Sequence, residues 1–424
     1  MICRNPYISD LVPVLQEAYS SNRLDAFGLY VYGMVLVAAT ATTPTTGYPV
    51  VDNIHQNDGD QRTSPRQSPL STAHSVLIQS ILQFPYNWSA WLDLASLLIG
   101  TTTSNTSDSS LSTTATTMIE QEIEEKIQPK LGGHYMYNLF CAHVFVERHN
   151  YYDAMIIYEL WMDITLFSAA PYIRSQYAMC CYHMRDFATA KLLLQELHIT
   201  IPYRLDAMDV YSNVLYVLED SFALSQLAHV AVLVDKYRAE TCCIIGNYYS
   251  MKKQRAKAIQ QFQRALLLDR TFTSAYTLIG HEYVEWKQTA NAMESYRKAV
   301  QISPRDYRAW YGLGQTYELL NMNLHALYYY KQATQLRPYD ALMWCALGST
   351  FTQIQRPQDA IKAYERALQQ NPQEHFATQK LTTLYHDNHR SEDAAQCYMR
   401  HLELVRPIAI LSSPIFNYST CHDV

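Results

Sequence analysis

The stretch that decides the fold is residues 307–340, YRAWYGLGQTYELLNMNLHALYYYKQATQLRPYD, because its spacing of small and aromatic residues recurs along the chain every 34 residues. Position 20 of the repeat is always alanine, and positions 11 and 24 are always aromatic. Position 8 is glycine in four of five repeats, and position 32 is proline in three. The five repeats that share this register begin at Ala239, Thr273, Tyr307, Ala341 and His375.

This pattern is typical of the tetratricopeptide repeat (TPR), a pair of antiparallel helices with a 34-residue period. Such a hairpin cannot bury its apolar faces alone, so neighbouring hairpins stack. Small residues at positions 8 and 20 let the two backbones approach, and the aromatic residues fill the space around that contact. Proline at position 32 stops the second helix. We expect an all-α superhelical solenoid of about nine to ten helix-turn-helix repeats.

Upstream of residue 239 the repeat pattern continues but becomes less regular. Two of these irregular units contain Ala178 with Ala190, and Ala142 with Ala154. Two insertions interrupt the first repeats, one rich in Thr, Pro, Asp and Ser and the other almost entirely Ser and Thr. Neither can bury enough apolar surface to offset the entropy of ordering, so both are expected to be disordered loops. The chain then divides into an N-terminal segment (1–23), degenerate repeats (24–204) with loops at about 40–72 and 101–117, a regular array (205–407) and a tail (408–424).

Composition excludes several classes of protein. With 33 basic and 39 acidic residues the net charge is −6, which argues against general nucleic-acid binding. The longest apolar stretch near the start is too short to span a bilayer, and the N-terminus lacks a signal-peptide layout, so no membrane partner is expected. The nine cysteines form no CxxC pair. We interpret Cys180-Cys181 and Cys242-Cys243 as small core or groove residues in a reducing compartment, rather than as redox-active pairs.

Two short motifs resemble catalytic signatures without completing them. His281-Glu282-Tyr283-Val284-Glu285 begins like a zinc-protease helix, but the second histidine is absent. The segment 312–317, GLGQTY, lacks the third glycine of a dinucleotide loop and has no preceding strand. We therefore expect no catalytic residue, no cofactor and no metal site.

Polar residues form a column on the face of each first helix opposite its core. At about 100° per residue, position 9 lies opposite positions 4, 8 and 11, on the inner surface of the superhelix. Acidic residues gather beside the early part of the column. The pattern fits a groove for an extended arginine-containing peptide, and it equally fits a face that is polar because it is solvated. The column is Asn213, Asn247, His281, Gln315, Ser349 and Thr383, and the acids are Asp206, Asp209, Glu240, Glu282 and Glu285.

Several strings go beyond the general TPR pattern and resemble the cell-division-cycle 23 family, subunit eight of the anaphase-promoting complex (cyclosome). The resemblance covers about residues 24–405 apart from the two loops. The family continues with further repeats where this chain leaves the pattern, at Arg406-Pro407. The strings are 202–213 (PYRLDAMDVYSN), 235–243 (DKYRAETCC), 245–250 (IGNYYS), 280–283 (GHEY) and 305–318 (RDYRAWYGLGQTYE).

The resemblance implies a non-catalytic scaffold subunit of a large ubiquitin ligase, acting in the nucleus and cytoplasm during the cell cycle. It further implies a homodimer through the N-terminal repeats and contacts with other subunits. It also implies a role in receiving an arginine-containing box of an activator protein. The peptide groove is then centred on Asn213, Asn247 and Glu282. On this view Asn247 and Glu282 lie outside the core, and Asn247→Ala or Glu282→Lys weakens peptide binding at least tenfold without changing helical content.

Two other functions compete with this interpretation. A TPR co-chaperone or adaptor that clamps acidic tails needs lysine and arginine in its groove, whereas here the early groove is acidic and Arg308 is the main basic exception. An enzyme such as a sugar transferase needs a separate catalytic domain. The repeats leave no room for one in 424 residues.

Overall fold

The fold is that of a computed structural model, which describes residues 8–40, 69–100, 120–164, 167, 169–388, 390, 392–399 and 402. Every regular element within these ranges is a helix, as the 34-residue pattern predicts. The chain divides into two compact units, Met1–Asp186 and Phe187–Val424. No helix in the described part of the chain is both long and apolar enough to cross a bilayer.

The first unit contains the less regular helices. Its N-terminal segment holds a helix, α1, that the repeat pattern does not reveal, and Val12, Leu15 and Tyr19 of this helix pack against α2. The helices are α1 (Ile8–Ser20), α2 (Ala26–Thr40), α3 (Pro69–Gln83), α4 (Trp88–Gly100), a helical segment at 120–126, α5 (Gln128–Leu131), α6 (Tyr135–Glu147), α7 (Tyr151–Asp163) and α8 (Pro171–His183).

The second unit is a regular stack of hairpins. All five first helices begin at the residue that the repeat register predicts, from Ala239 to His375. The helices are α9 (Phe187–Thr200), α10 (Met208–Val217), α11 (Ser221–Val234), α12 (Ala239–Met251), α13 (Arg255–Leu268), α14 (Thr273–Glu285), α15 (Thr289–Ile302), α16 (Tyr307–Leu319), α17 (Asn323–Leu336), α18 (Ala341–Gln353), α19 (Pro357–Gln370), α20 (His375–Asp387) and a last helical segment at 392–399.

The glycine at position 8 lies against the aromatic ring at position 24 of its own hairpin. A Cβ atom added to Gly314 would stand 2.6 Å from the ring of Tyr330, closer than carbon atoms can approach. The same contact joins Gly280 to Tyr296, and the Tyr296 ring also touches Gly312 of the next repeat. Tyr296 is fully buried as a result. The absence of a side chain at position 8 is therefore what allows the ring to fill the core.

Smaller features repeat with the same period. The position-20 alanines are buried throughout the regular array. Trp310 Nε1 donates a hydrogen bond to the carbonyl of Pro304 at 2.7 Å, and Trp344 makes the same bond to Pro338, which ties each repeat to the turn before it. Within the second unit, the turns from α10 to α11, α12 to α13, α14 to α15, α16 to α17 and α18 to α19 each have one left-handed residue that is not glycine. These residues are Glu219, Lys253, Lys287, Asn321 and Gln355.

The predicted loops lie almost wholly outside the described residues. Only their edges can be placed: α2 extends to Thr40 and α3 begins at Pro69, so the predicted boundary at residue 72 is wrong by one helical turn. Cys180, Cys181, Cys242 and Cys243 are all buried, which places both adjacent pairs in the core rather than in the groove. The reducing compartment stays a prediction.

We expect Gly314→Ala to lower the free energy of unfolding by about 1–3 kcal/mol, and Gly314→Leu to lower it further, because overpacking displaces the Tyr330 ring. Chemical denaturation followed by circular dichroism measures the change. Gly133→Ala is the matched control, since a Cβ atom at Gly133 meets nothing within 4 Å. Equal stability of the two alanine variants would contradict this account of the core.

Candidate peptide-binding groove

The polar column at position 9 follows the stacked first helices of the second unit, since α10 contacts α12 and α14 contacts α16. Its members differ in how far they reach solvent. His281, Gln315 and Thr383 are exposed, and Asn213 and Ser349 are half-buried. Asn247 is only 3% exposed. The column is thus a solvent-facing surface at some repeats and a contact between repeats at others.

Asn247 links α12 to the preceding first helix. Its Nδ2 donates hydrogen bonds to Ser212 Oγ at 2.8 Å and to Asn213 Oδ1 at 2.7 Å. The expectation that this side chain lies outside the core is therefore wrong. A residue opposite the core of its own hairpin still packs against the neighbouring hairpin, because first helices of adjacent repeats stack on each other.

Glu282 is likewise buried, with 5% of its surface exposed, rather than lying at the flank of an open channel. Its Oε1 accepts a short hydrogen bond from Ser250 Oγ. Its Oε2 is buried and has no hydrogen-bond partner among the described residues. Burial raises the pKa of this carboxyl above its ordinary value, and the charge of Glu285 adds to the shift. Ser250 and Arg255 act in the opposite direction.

The acids at the start of the groove fall into two groups. Asp206 and Glu240 share Arg238, whose Nη2 lies 2.8 Å from Asp206 Oδ1 and 3.1 Å from Glu240 Oε1. Arg204 Nε also lies 3.8 Å from Asp206 Oδ2, so two arginines balance the two carboxylates. Asp209 is half-buried, and burial, together with the charge of Glu240, raises the pKa of its carboxyl. Arg308 partly offsets that rise.

His281 is held by the core of its hairpin. Its Nδ1 lies 2.9 Å from the hydroxyl of Tyr296, the same ring that fills the core between Gly280 and Gly312. Surrounding protein and the charge of Arg308 lower the pKa of His281 to about 4, against a smaller opposing effect of Asp306. The imidazole is therefore neutral at physiological pH.

The structure brings Asn213, Asn247 and Glu282 into one polar layer through residues that the sequence analysis did not select. Ser250 Oγ bonds Glu282 and also lies 3.3 Å from the hydroxyl of Tyr216, which belongs to α10. Position 12, where Ser250 stands, is one helical turn from position 9, so an i, i+3 search from Asn247 could have found it. Gln315 stands apart on the exposed surface of α16. Among the described residues no group of three or more His, Cys, Asp or Glu side chains is placed to hold a metal ion.

Comparison with known proteins gives matches along most of the chain. The family model for anaphase promoting complex subunit 8 / Cdc23 matches residues 65–178. Models of the tetratricopeptide repeat match 239–272, 307–340 and 341–374. Among solved structures, the crystal structure of the APC/C hetero-tetramer Cut9-Hcn1 matches 89% of this chain and 66% of that one, with a TM-score of 0.57. At 14% identity that match shows a shared fold alone.

Curated relatives carry the same family name. Anaphase-promoting complex subunit 8 of Dictyostelium discoideum is 44% identical over 199 residues, which cover 47% of this chain and 30% of the relative. Subunit 8 of Arabidopsis thaliana is 37% identical over 241 residues, covering 57% and 33%. Subunit CDC23 of Saccharomyces cerevisiae is 33% identical over 205 residues, covering 47% and 31%. The matched part of the chain therefore spans about a third of the length of these relatives.

We expect Glu282→Gln to raise the melting temperature at pH 7, because the amide keeps an acceptor for Ser250 and removes a buried, half-satisfied charge. In the folded protein the pKa of Glu282 is raised, so ionisation of its carboxyl group lowers the stability of the fold. This loss of stability begins as the pH rises above the ordinary pKa of about 4.3, and it is complete above the raised pKa. The gain should vanish near pH 3, where both side chains are neutral. Glu294→Gln, at an exposed carboxylate paired with Lys298, should give no gain. An unchanged or lower melting temperature for Glu282→Gln at pH 7 would refute the buried-charge account.

Proposed function

We propose that the chain is a TPR scaffold subunit of the anaphase-promoting complex ubiquitin ligase, because it is similar to the anaphase promoting complex subunit 8 / Cdc23 family. In the proposed role it is not itself catalytic. It docks an activator protein and neighbouring subunits during cell-cycle-dependent ubiquitination, in the nucleus and cytoplasm.

The observation that carries the activator-docking role is the buried Oε2 atom of Glu282. A carboxylate oxygen removed from water without a hydrogen bond costs free energy unless a ligand supplies a donor. An arginine guanidinium carries both the charge and the paired N–H donors that a carboxylate accepts. Ser250 holds the carboxylate in place through its other oxygen, Oε1. We infer that a peptide arginine enters beside Glu282.

The rest of the groove suits a cationic, extended peptide. The half-buried carboxyl of Asp209 lies near the polar layer, as does the exposed carboxylate of Glu285, which pairs with Arg255 Nη2 at 3.4 Å. His281 is neutral and exposed, so it does not repel a cation and can bond the peptide backbone. Asn213 and Gln315 add amide groups that pair with backbone N–H and C=O. The co-chaperone alternative is less well supported, because an acidic tail would meet these carboxylates.

Glu282→Gln should weaken the binding of a synthetic activator-box peptide at least tenfold. The variant keeps the shape of the site but loses a charge-assisted hydrogen bond of about 1.5–3 kcal/mol. Isothermal titration with that peptide, and with the same peptide carrying glutamine for arginine, forms a double-mutant cycle. The glutamine peptide should bind wild type and variant equally.

Glu294→Gln serves as the control for a change of charge far from the groove. Asn247→Ala is a poorer test than Glu282→Gln, because it removes two bonds between repeats and should lower stability as well as binding. Equal affinity of wild type and Glu282→Gln for the arginine peptide would rule out docking at Glu282.

The proposed homodimer has a candidate surface in the first unit. Phe27, Val31 and Met34 are exposed on one face of α2, at i, i+4 and i+7. The Phe27 ring lies 5.4 Å from Phe84, which lies 5.7 Å from Tyr86, so the apolar surface continues beyond the helix. Contiguous exposed apolar surface of this kind is typical of a protein interface. We infer that residues about 24–200 dimerise through this surface.

Val31→Glu should convert the dimer to a monomer, since it buries an unpaired charge at the centre of the contact. Sedimentation velocity over a hundredfold range of concentration measures the change. Leu319→Glu, at an exposed leucine of α16, should leave the dimer intact. A wild-type protein that sediments as a monomer at all concentrations would contradict the proposal.

A further inference from the structure

A cleft of about 480 Å³ lies in the second unit, beside the turn that joins α12 to α13. Its lining comes from residues 253–257 and from Trp286, which directly follows α14 in the next repeat. Every charged residue in this lining is basic: Lys253, Arg255 and Lys257. We call it the basic cleft. Its volume falls within the range of about 300–1,000 Å³ that is usual for ligand pockets.

The lysines at the basic cleft have no acidic partners. Lys253 and Lys257 are exposed, and so are Lys252 and Lys287 on the two turns that border the cleft. None of these four lysines forms a salt bridge within the described part of the chain, where the lysines that do so lie elsewhere. Arg255 Nε is buried and has no hydrogen-bond partner among the described residues.

The nearby acids do not neutralise this charge. The one acid within 252–257 and 285–288 is Glu285, whose Oε2 lies 3.4 Å from Arg255 Nη2. On the preceding turn Glu219 is exposed, but Asp220 already pairs with Lys191 at 2.8 Å. The following turn, 320–323, carries no charge. Positive charge therefore exceeds negative charge at the basic cleft, which favours an anionic ligand.

The start of α13 adds to the positive potential. The backbone N–H of Ala256 has no hydrogen-bond partner among the described residues, Gln254 provides no side-chain cap, and the first turn holds no acid. At the start of α11, by contrast, Asp220 Oδ1 accepts a hydrogen bond from the backbone N–H of Ala223 at 3.0 Å. The positive end of the α13 dipole thus lies beside the cations of the cleft, where an anion would be stabilised by both.

Trp286 indicates that the anion belongs to a peptide. Its side chain lines the cleft and remains 43% exposed. A peptide carries apolar side chains next to its anionic group, and these can pack on the indole ring, as is common at protein interfaces. Nucleic acid is disfavoured, because the chain as a whole has a net charge of −6.

We propose that the basic cleft binds a phosphorylated serine or threonine of a partner protein. A phosphoserine carries a charge of about −1.5 to −2 and three strong acceptor oxygens. Lys253, Arg255 and Lys257 supply the donors for these oxygens, and a neighbouring apolar residue of the partner packs on Trp286. Recognition of phosphopeptides by clustered basic side chains is a recurring mode of binding. The basic cleft is separate from the proposed arginine-peptide groove, whose exposed carboxylates would repel a phosphate.

The test uses the full chain and a synthetic peptide in which leucine flanks a central serine on both sides. Isothermal titration should show that the phosphorylated peptide binds wild type at least tenfold more tightly than the unmodified one. The double variant Lys253→Asn/Lys257→Gln should lose at least tenfold of that affinity. Asparagine suits residue 253 because the backbone there is left-handed, with φ of 59°, and Asn321 stands at the same position of a later repeat.

Two controls accompany this measurement. Lys331→Gln/Lys362→Gln removes the same charge from exposed positions on α17 and α19, outside the cleft, and should bind as wild type does. Affinity of wild type for the phosphopeptide should fall as the pH is lowered through about 6, because the phosphate then loses its second charge. Equal melting of wild type and both double variants shows that a loss of binding is not a loss of fold.

Three outcomes would overturn the proposal. In the first, the phosphopeptide fails to bind wild type, or binds Lys253→Asn/Lys257→Gln as tightly. In the second, a peptide with glutamate in place of phosphoserine binds as tightly as the phosphopeptide, which makes the cleft a site for acidic segments in general. In the third, duplex DNA binds wild type but not this double variant while no peptide binds, which makes it a nucleic-acid contact.

Discussion

The contact between the aromatic ring at position 24 and the glycine at position 8 is the constraint on which the regular array depends. Where a side chain would stand, the ring of Tyr296, Tyr330 or Tyr364 occupies the space instead. This contact limits how closely the two helices of a hairpin approach. Because four of the five regular repeats share it, their hairpins stack in register, and equivalent positions align along the array.

The column at position 9 shows how that alignment produces a site. Stacking brings the first helices close enough for Asn247 to reach Asn213 and for Ser250 to reach Glu282, so polar side chains bond across repeats. Most of these groups are satisfied within the protein. Glu282 is not, since one of its carboxylate oxygens is buried without a donor. An unsatisfied buried charge lowers stability, and the proposed peptide arginine supplies the missing donor.

Sequence by itself determined the class of fold, the period, the first residue of five helices and the core positions. These features depend on the local spacing of residues, and one 34-residue pattern repeated five times is compatible with few folds. It also selected the acids and amides of the candidate groove. The sequence did not reveal α1, because this helix lies outside the 34-residue repeats and contains Pro13.

Only the tertiary structure decided which of the selected residues are accessible. Helical periodicity places Asn247 opposite the core of its own hairpin and Glu282 at the flank of the groove, but periodicity within one repeat carries no information about the next hairpin. The neighbouring first helix covers both side chains, buries the carboxylate and raises its pKa. Burial of a polar residue in a solenoid depends on contacts with residues about one repeat away, and those contacts exist only once the repeats have stacked.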